Sequence, residues 1–284
     1  MTGDQDFLNN VVAWANGRTD IVALILTGSR ARPDGMVDAP SDYDLEMFTT
    51  HPAAYTSSTA WMSDIGKVWV YLPTTSNGCE MRLVVFDGGV KVDFSILPAS
   101  ALEAAVKFQN LDELYERGFR VLIDKNGLAS RLPSPSYRSP KRQSPTEAEF
   151  RAAVEEFWFE ASHIPKYLQR EDLWVVKFRD WTMKELILRM MEWRTIAVNG
   201  DSTDVRHIGM RMKDWVPSDD LLRLHEVYGR FDAADSWRAL LATLSLFREV
   251  AKEIANELGY EYPADVDESI SGYIRGFEGS PFAM

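Results

Sequence analysis

The sequence predicts an α+β fold, with a mixed β-sheet backed by helices in its first half and an all-α bundle in its second. Three observations carry this. Residues 1–132 contain short apolar or alternating runs of strand length. Residues 133–145 are a Pro/Ser-rich stretch, with Pro133, Pro135, Pro140 and Pro145 among Ser134, Ser136, Ser139 and Ser144, which reads as a solvated linker. From residue 146 to residue 284 the apolar spacing becomes helical.

The elements follow in order. Residues 4–17 read as an amphipathic helix, because Phe7, Leu8, Val11, Val12 and Ala15 share a face. Residues 21–26 are an unbroken apolar run, the pattern of a buried strand. Residues 42–48 form a second strand, and 67–72, 81–86 and 90–97 three more. Asp87-Gly88-Gly89 joins the last two as a hairpin turn. Residues 102–117 read as a helix and 119–124 as a short strand. After the linker, Ser144 at the N-cap, Pro145 at the first helical position and Glu147 at the third predict a capping box. Helices then run to residue 169 and over 171–199, 218–230 and 233–258. In the last of these, Leu240, Leu241, Leu244, Phe247, Val250 and Ile254 make a core-facing stripe.

Composition narrows the function. The 284 residues are 45% hydrophobic, enough for two cores. The net charge of −12 disfavours a polynucleotide, whose phosphates attract Lys and Arg, and favours a small polycation. Ordinary solubility explains the acidity equally well. A single cysteine, Cys79, excludes an internal disulfide and a Cys-based zinc cluster. The four histidines show no metal-ligand spacing. Neither a signal peptide nor a membrane span is evident, so a cytoplasmic protein is expected. The oligomeric state is not legible.

The chemistry concentrates between Gly28 and Asp93. Side chains two apart on a strand leave the same face, so Asp42 and Asp44 project side by side. Two such carboxylates repel unless a cation lies between them, and hard oxygen ligands with open positions suit Mg²⁺ carrying a nucleoside triphosphate. Gly28-Ser29, just after the first strand, forms a turn able to grip phosphate oxygens. Asp93 is a third carboxylate within the apolar run of residues 90–97, costly to bury unless paired or metal-bound. Taken singly, each fragment also reads as an ordinary turn, loop or strand end.

Together, Gly28-Ser29, Asp42-x-Asp44 and Asp93 resemble the nucleotidyltransferase (DNA polymerase β-like) superfamily. Gly28-Ser29-Arg30, Asp42-Tyr43-Asp44, Lys91-Val92-Asp93, Glu156-Phe157-Trp158, Leu188-Arg189-Met190-Met191-Glu192-Trp193, Leu246-Phe247-Arg248-Glu249-Val250 and Tyr260-Glu261-Tyr262-Pro263 resemble the aminoglycoside 6-adenylyltransferases, the streptomycin-adenylylating enzymes. The likeness runs from about residue 20 to about residue 275. It implies a nucleotidyltransferase domain over residues 1–132 and a helical substrate-binding domain over 146–284. It also implies Mg²⁺ and ATP, and AMP transfer to the 6-hydroxyl of streptomycin's streptidine ring, with antibiotic resistance as the consequence.

On this resemblance Asp42 and Asp44 are Mg²⁺ ligands, and Asp93 completes the metal site, acts as general base, or does both. Gly28 and Ser29 hold the outer phosphates, with Arg30 or Arg32 adding charge unless they are merely exposed. Lys166 matches a basic family position and is expected on the triphosphate. Glu46 shares the carboxylate face and is expected in a salt bridge. For a cationic acceptor the candidates are Glu80, Asp180, Glu185, Glu192 and Trp193, with Trp181 and Trp193 each a stacking surface or, more readily, a core residue. Glu80 is the substitute base, expected on a strand beside Asp93. Glu185, Arg189 and Glu192 read equally as a salt-bridge ladder, with Glu156, Glu160 and His163 as the fallback acceptor stripe. Arg206, His207, Arg211 and Lys213 depart from the family's Lys-rich turn, so no phosphate role is assigned there. The rival readings are an enzyme acting on another antibiotic, such as a lincosamide, and a non-catalytic nucleotidyltransferase-fold binding protein.

Overall fold

The structure is a computed structural model that describes residues 2–32, 41–138, 141–201, 203–205 and 207–283. The loop after Arg32, Ser139 and Pro140 of the linker, and Arg206 lie outside the described residues. The chain divides into two compact units, Met1–Pro140 and Lys141–Met284.

The first unit runs α1 (Thr2–Asn16), β1 (Ile21–Thr27), β2 (Tyr43–Thr49), α2 (Pro52–Thr56), α3 (Ala60–Ile65), β3 (Val68–Ser76), β4 (Cys79–Phe86), β5 (Lys91–Pro98), α4 (Ala99–Phe108), α5 (Glu113–Glu116) and β6 (Arg120–Asp124). Its sheet has the order β3-β4-β5-β2-β1-β6. Only β2 and β5 are parallel neighbours, which makes the sheet mixed. β1 is apolar from Ile21 to Leu26 because both its faces are covered. Leu24 and Leu26 join Leu45, Met47, Val92 and Phe94 in a core that includes Leu8, Val11 and Ala15 of α1. Ala23 and Ile25 pack with Phe48, Leu102 and Tyr115 in a second core on the other face.

Three local features differ from expectation. The β3–β4 connection is the two-residue turn Asn77-Gly78, with φ of 50° and 76°. Both strands therefore reach further than their apolar residues suggest, and Ser76 pairs with Cys79. The single helix expected over 102–117 is two, broken at Gln109, whose φ is 51°. Gln109 donates from Nε2 to the carbonyls of Val106 and Arg131. Asp112 then caps α5 by accepting from the Tyr115 amide, which restarts the helix. The short helices α2 and α3 carry Tyr55, Trp61, Met62 and Ile65 into the core of α1.

The second unit contains α6 (Glu147–Gln169), α7 (Leu173–Asn199), α8 (Ser218–Val227), α9 (Ala233–Leu258) and α10 (Ala264–Arg275). The capping box at its start is Thr146 with Glu149, two residues beyond the expected Ser144 with Glu147. Both pairs fit the same motif, and the second makes the reciprocal bonds. The core is apolar, with Phe157 of α6 stacked on Phe247 of α9 at 3.5 Å between ring centroids. α10 is tied down by Arg248, whose guanidinium donates to both Asp267 oxygens at 2.7 Å. Among the described residues no helix is long and apolar enough to cross a membrane.

Candidate functional site

The register of two strands builds the site. In the parallel β2–β5 pair Asp44 lies directly opposite Asp93, so alternation projects both carboxylates from the same face. The opposite face, through Tyr43, Leu45, Val92 and Phe94, is buried. Asp42 lies immediately before β2. β1 ends against this cluster, with Thr27 paired to Asp44 and Gly28 next in the chain. Gly28 has φ 66° and ψ −153°, a conformation essentially reserved for glycine. A Cβ on it would fall 1.8 Å from Asp44 Oδ2, so this position also needs the missing side chain for space. Residues Ser29–Ala31 then form a 3₁₀ turn. Arg30 fastens that turn to the start of β2, donating from Nε to the Ser41 carbonyl at 2.8 Å and lying 4.1 Å from the Tyr43 ring centroid.

Lys91 organises the carboxylates. It is two residues from Asp93 on the same strand face, and its ammonium donates to Asp42 Oδ2 at 2.6 Å and to Asp93 Oδ2 at 3.1 Å. Burial alone would lower the Lys91 pKa, but its bonds to Asp42 and Asp93 outweigh that and raise it. Asp93 Oδ1 is buried and has no hydrogen-bond partner among the described residues. The Asp44 pKa is raised, first by burial and then by the negative charge of Asp93, against the pull of Lys91. Lys91 thus bridges Asp42 and Asp93, while burial and the Asp93 charge disfavour the ionised form of Asp44. Among the described residues no three carboxylate, histidine or cysteine side chains converge on a single cation position. The fit to a divalent cation therefore rests on the chemistry of the donors. They are hard oxygens on neighbouring backbone positions, and one of them is an unpartnered buried carboxylate oxygen.

Glu46, two residues beyond Asp44 on the same face, makes a hydrogen bond rather than the expected salt bridge. The Tyr115 hydroxyl of α5 donates to Glu46 Oε2. Burial pushes the Glu46 pKa up to about 7, despite the opposing pull of the Tyr115 bond. Because the folded pKa lies above the ordinary 4.5, folding favours the protonated acid. The ionisation penalty is absent below the ordinary pKa and grows as pH rises through the folded one. A rise of this size corresponds to roughly 3 kcal/mol. Glu46→Gln is therefore expected to be more stable than wild type at pH 8, by up to about that amount, with the gap closing towards pH 5. Urea unfolding at the two pH values measures it, and a gap independent of pH would contradict this environment for Glu46.

Glu80 is displaced from its expected place. In the β4–β5 register Leu83 lies opposite Asp93, and Glu80 lies opposite Ile96. Alternation puts Glu80 on the other face of the sheet, where it accepts from Thr75 Oγ1 at 2.8 Å and lies 3.5 Å from Arg82. It is neither a neighbour of Asp93 nor a substitute base.

In the helical unit the expected residues part company. Asp180 is committed to a buried ion pair with Lys184, which also donates to Thr243 Oγ1 at 2.8 Å. Its carboxylate is structural, which corrects its assignment to the acceptor. Trp193 is half-buried and packs against the core, as its core reading expects. Glu192 is half-buried, its pKa raised by burial against the attraction of Arg142 and Arg189. Glu185 is exposed and accepts from Trp181 Nε1 at 3.1 Å. Trp181 is itself exposed, so the core reading of this residue fails. Lys166 is half-buried on α6, its ammonium 5.5 Å from the Tyr167 ring centroid. Glu160 is paired with Arg179 of α7 at 2.9 Å, which removes it from the fallback acceptor set.

Sequence reasoning missed the organising role of Lys91, although the Lys-x-Asp alternation of β5 carries the signal. It also missed Tyr115, which only the helix break brings over Glu46.

Comparison with known proteins finds relatives along nearly the whole chain. An aminoglycoside 6-adenylyltransferase of Bacillus subtilis (strain 168) is 26% identical over 286 residues, covering 97% of this chain and 98% of that protein. One from Campylobacter jejuni is 26% identical over 283 residues, covering 96% and 95%. A crystal structure of an aminoglycoside 6-adenyltransferase from Bacillus subtilis aligns with a TM-score of 0.46 and 22% identity, over 97% of this chain and 98% of that one. The family model described as streptomycin adenylyltransferase matches residues 1–277, and this chain belongs to that nucleotidyltransferase family.

Proposed function

We propose that this protein transfers AMP from MgATP to a hydroxyl of an aminoglycoside, the 6-hydroxyl of streptomycin, with release of pyrophosphate. The observation that carries the proposal is the register of Asp44 against Asp93 beside the Gly28 turn. A family match alone would survive loss of the carboxylates; this geometry would not. Asp42 and Asp44 would hold Mg²⁺, with Asp93 at its side. When bound, the cation neutralises charge on the triphosphate and on the pyrophosphate leaving group.

The protein's own groups supply the rest. The backbone at Gly28 and Ser29 cradles the outer phosphates. Asp93, with its unpartnered Oδ1, accepts the proton of the attacking hydroxyl. The hydroxyl oxygen forms a bond to the α-phosphorus while the bond to pyrophosphate breaks, and AMP remains on the sugar. The net charge of −12 suits a polycationic acceptor and disfavours nucleic acid. The reaction belongs in the cytoplasm, where ATP and Mg²⁺ are available, and the consequence is streptomycin resistance.

The test is mass spectrometry of streptomycin, kanamycin and lincomycin after incubation with the protein and MgATP. The expected result is a gain of one adenylyl group on streptomycin alone. A gain on lincomycin instead would move the acceptor to the lincosamides, and no gain on any of them would refute the proposal.

A further inference from the structure

The outer face of α7 carries three aromatic side chains in a row. Trp174 is 81% exposed, Phe178 67% and Trp181 57%. Their spacings of four and three residues place them on one stripe, which continues one turn on to Glu185. From Trp174 to Glu185 the stripe is roughly 16 Å long. Rings this bare are unusual on a soluble protein, and a contiguous exposed apolar patch marks a recognition surface. None of the three is needed for the core of the helical unit, which lies on the opposite side of α7 through Val176, Met183, Ile187 and Met190.

The polar end of the stripe identifies its occupant. Glu185 is held by the Trp181 indole, which donates to it at 3.1 Å. Arg189, the next residue along the stripe, lies in the field of Glu192. The result is a row of ring faces ending in an oriented carboxylate, on a chain of net charge −12. A guanidinium is planar and weakly hydrated, stacks on aromatic faces and pairs with a carboxylate through two parallel N–H bonds. An apolar partner protein would gain nothing from the carboxylate, and a simple ammonium would use the ring faces less well.

We infer that Trp174, Phe178 and Trp181 form a stacking platform for the guanidinium-bearing ring of the acceptor, with Glu185 pairing to a guanidinium at its end. The inference rests on the proposed aminoglycoside reaction and adds the residues that select a guanidinium-bearing acceptor. Because the stripe binds ground and transition states alike, its loss falls on the acceptor KM rather than on kcat.

The experiment is steady-state kinetics of the full chain with streptomycin and MgATP. Trp174→Leu and Trp181→Leu are each expected to raise the streptomycin KM by about threefold to thirtyfold, the span of a cation–π contact. The ATP KM and the thermal midpoint should be unchanged, because these rings are exposed. Trp181→Phe keeps a ring but loses the indole donor to Glu185 and should recover only part of the loss, whereas Glu185→Gln should raise the KM as much as either leucine variant. If wild type turns over streptomycin and all four variants keep its KM, the platform is refuted while the reaction stands. If wild type does not turn over streptomycin, both fall. Sedimentation velocity covers the alternative of a second copy seated on the stripe. A wild-type dimer that Trp174→Leu dissociates, with KM unchanged, would also overturn the inference.

Discussion

Asp44→Asn is expected to lower turnover by about a thousandfold or more, while leaving a protein at least as stable as wild type. Both halves follow from the same geometry. Asp44 stands beside Asp93 in the β2–β5 register, and burial together with the Asp93 charge raises its pKa. Folding therefore disfavours the ionised carboxylate that the reaction needs. The stability cost of Asp44 is absent below its ordinary pKa and grows as pH rises through the folded one. Asparagine keeps the shape and removes that cost, so the thermal midpoint at neutral pH should hold or rise. The same change removes a cation ligand and with it several kcal/mol of transition-state stabilisation. Turnover and the thermal midpoint of one preparation measure both. A variant that keeps its activity would remove Asp44 from the machinery, and one that unfolds would show that the carboxylate is a structural group.

The second large effect is expected at Gly28. Gly28→Ala places a residue with a Cβ at φ 66° and ψ −153°, which costs on the order of 1–3 kcal/mol. The new methyl group would sit 1.8 Å from Asp44 Oδ2, so either the carboxylate or the turn must move. Displacing a reacting or binding group by about 1 Å is enough to cost roughly a hundredfold in rate. The expected result is lower stability together with at least that loss of turnover. Urea unfolding and initial rates measure the two, and a variant unchanged in both would show that the turn does not set the position of Asp44.

The sequence makes the catalytic half of the site legible because strand alternation is strictly local. Apolar residues at 21–26 and around Asp93 mark the buried strands, and the two-residue spacing of Asp42 and Asp44 puts their carboxylates together. The resemblance to a known family added Asp93 to that pair, whereas the register that sets it opposite Asp44 is seen only in the fold. What escaped depends on partners far along the chain. Glu80 lies in a strand next to that of Asp93, but only the β4–β5 register reveals that Leu83 is the residue opposite. Asp180 looks available on its helix, yet Lys184 is drawn to it from within the core and bridges to Thr243 of α9. The break at Gln109 depends on the Arg131 carbonyl, 22 residues away, as well as on the nearby Val106 carbonyl. Two misses did have local signals. Asn77-Gly78 is a standard two-residue hairpin turn, and the spacing of Trp174, Phe178 and Trp181 announces a stripe whose exposure only the fold decides.

The central claim is that Asp42, Asp44 and Asp93 receive a divalent cation with the nucleotide, at the place where Lys91 now joins two of them. The most direct measurement is the anomalous scattering of Mn²⁺ in crystals of the protein grown with a non-hydrolysable ATP analogue. The account expects a manganese peak bonded to oxygens of Asp42 and Asp44 and adjacent to Asp93, with the Lys91 ammonium moved off Asp42. Manganese bound away from these carboxylates, or its absence while Lys91 still bridges Asp42 and Asp93, would contradict it.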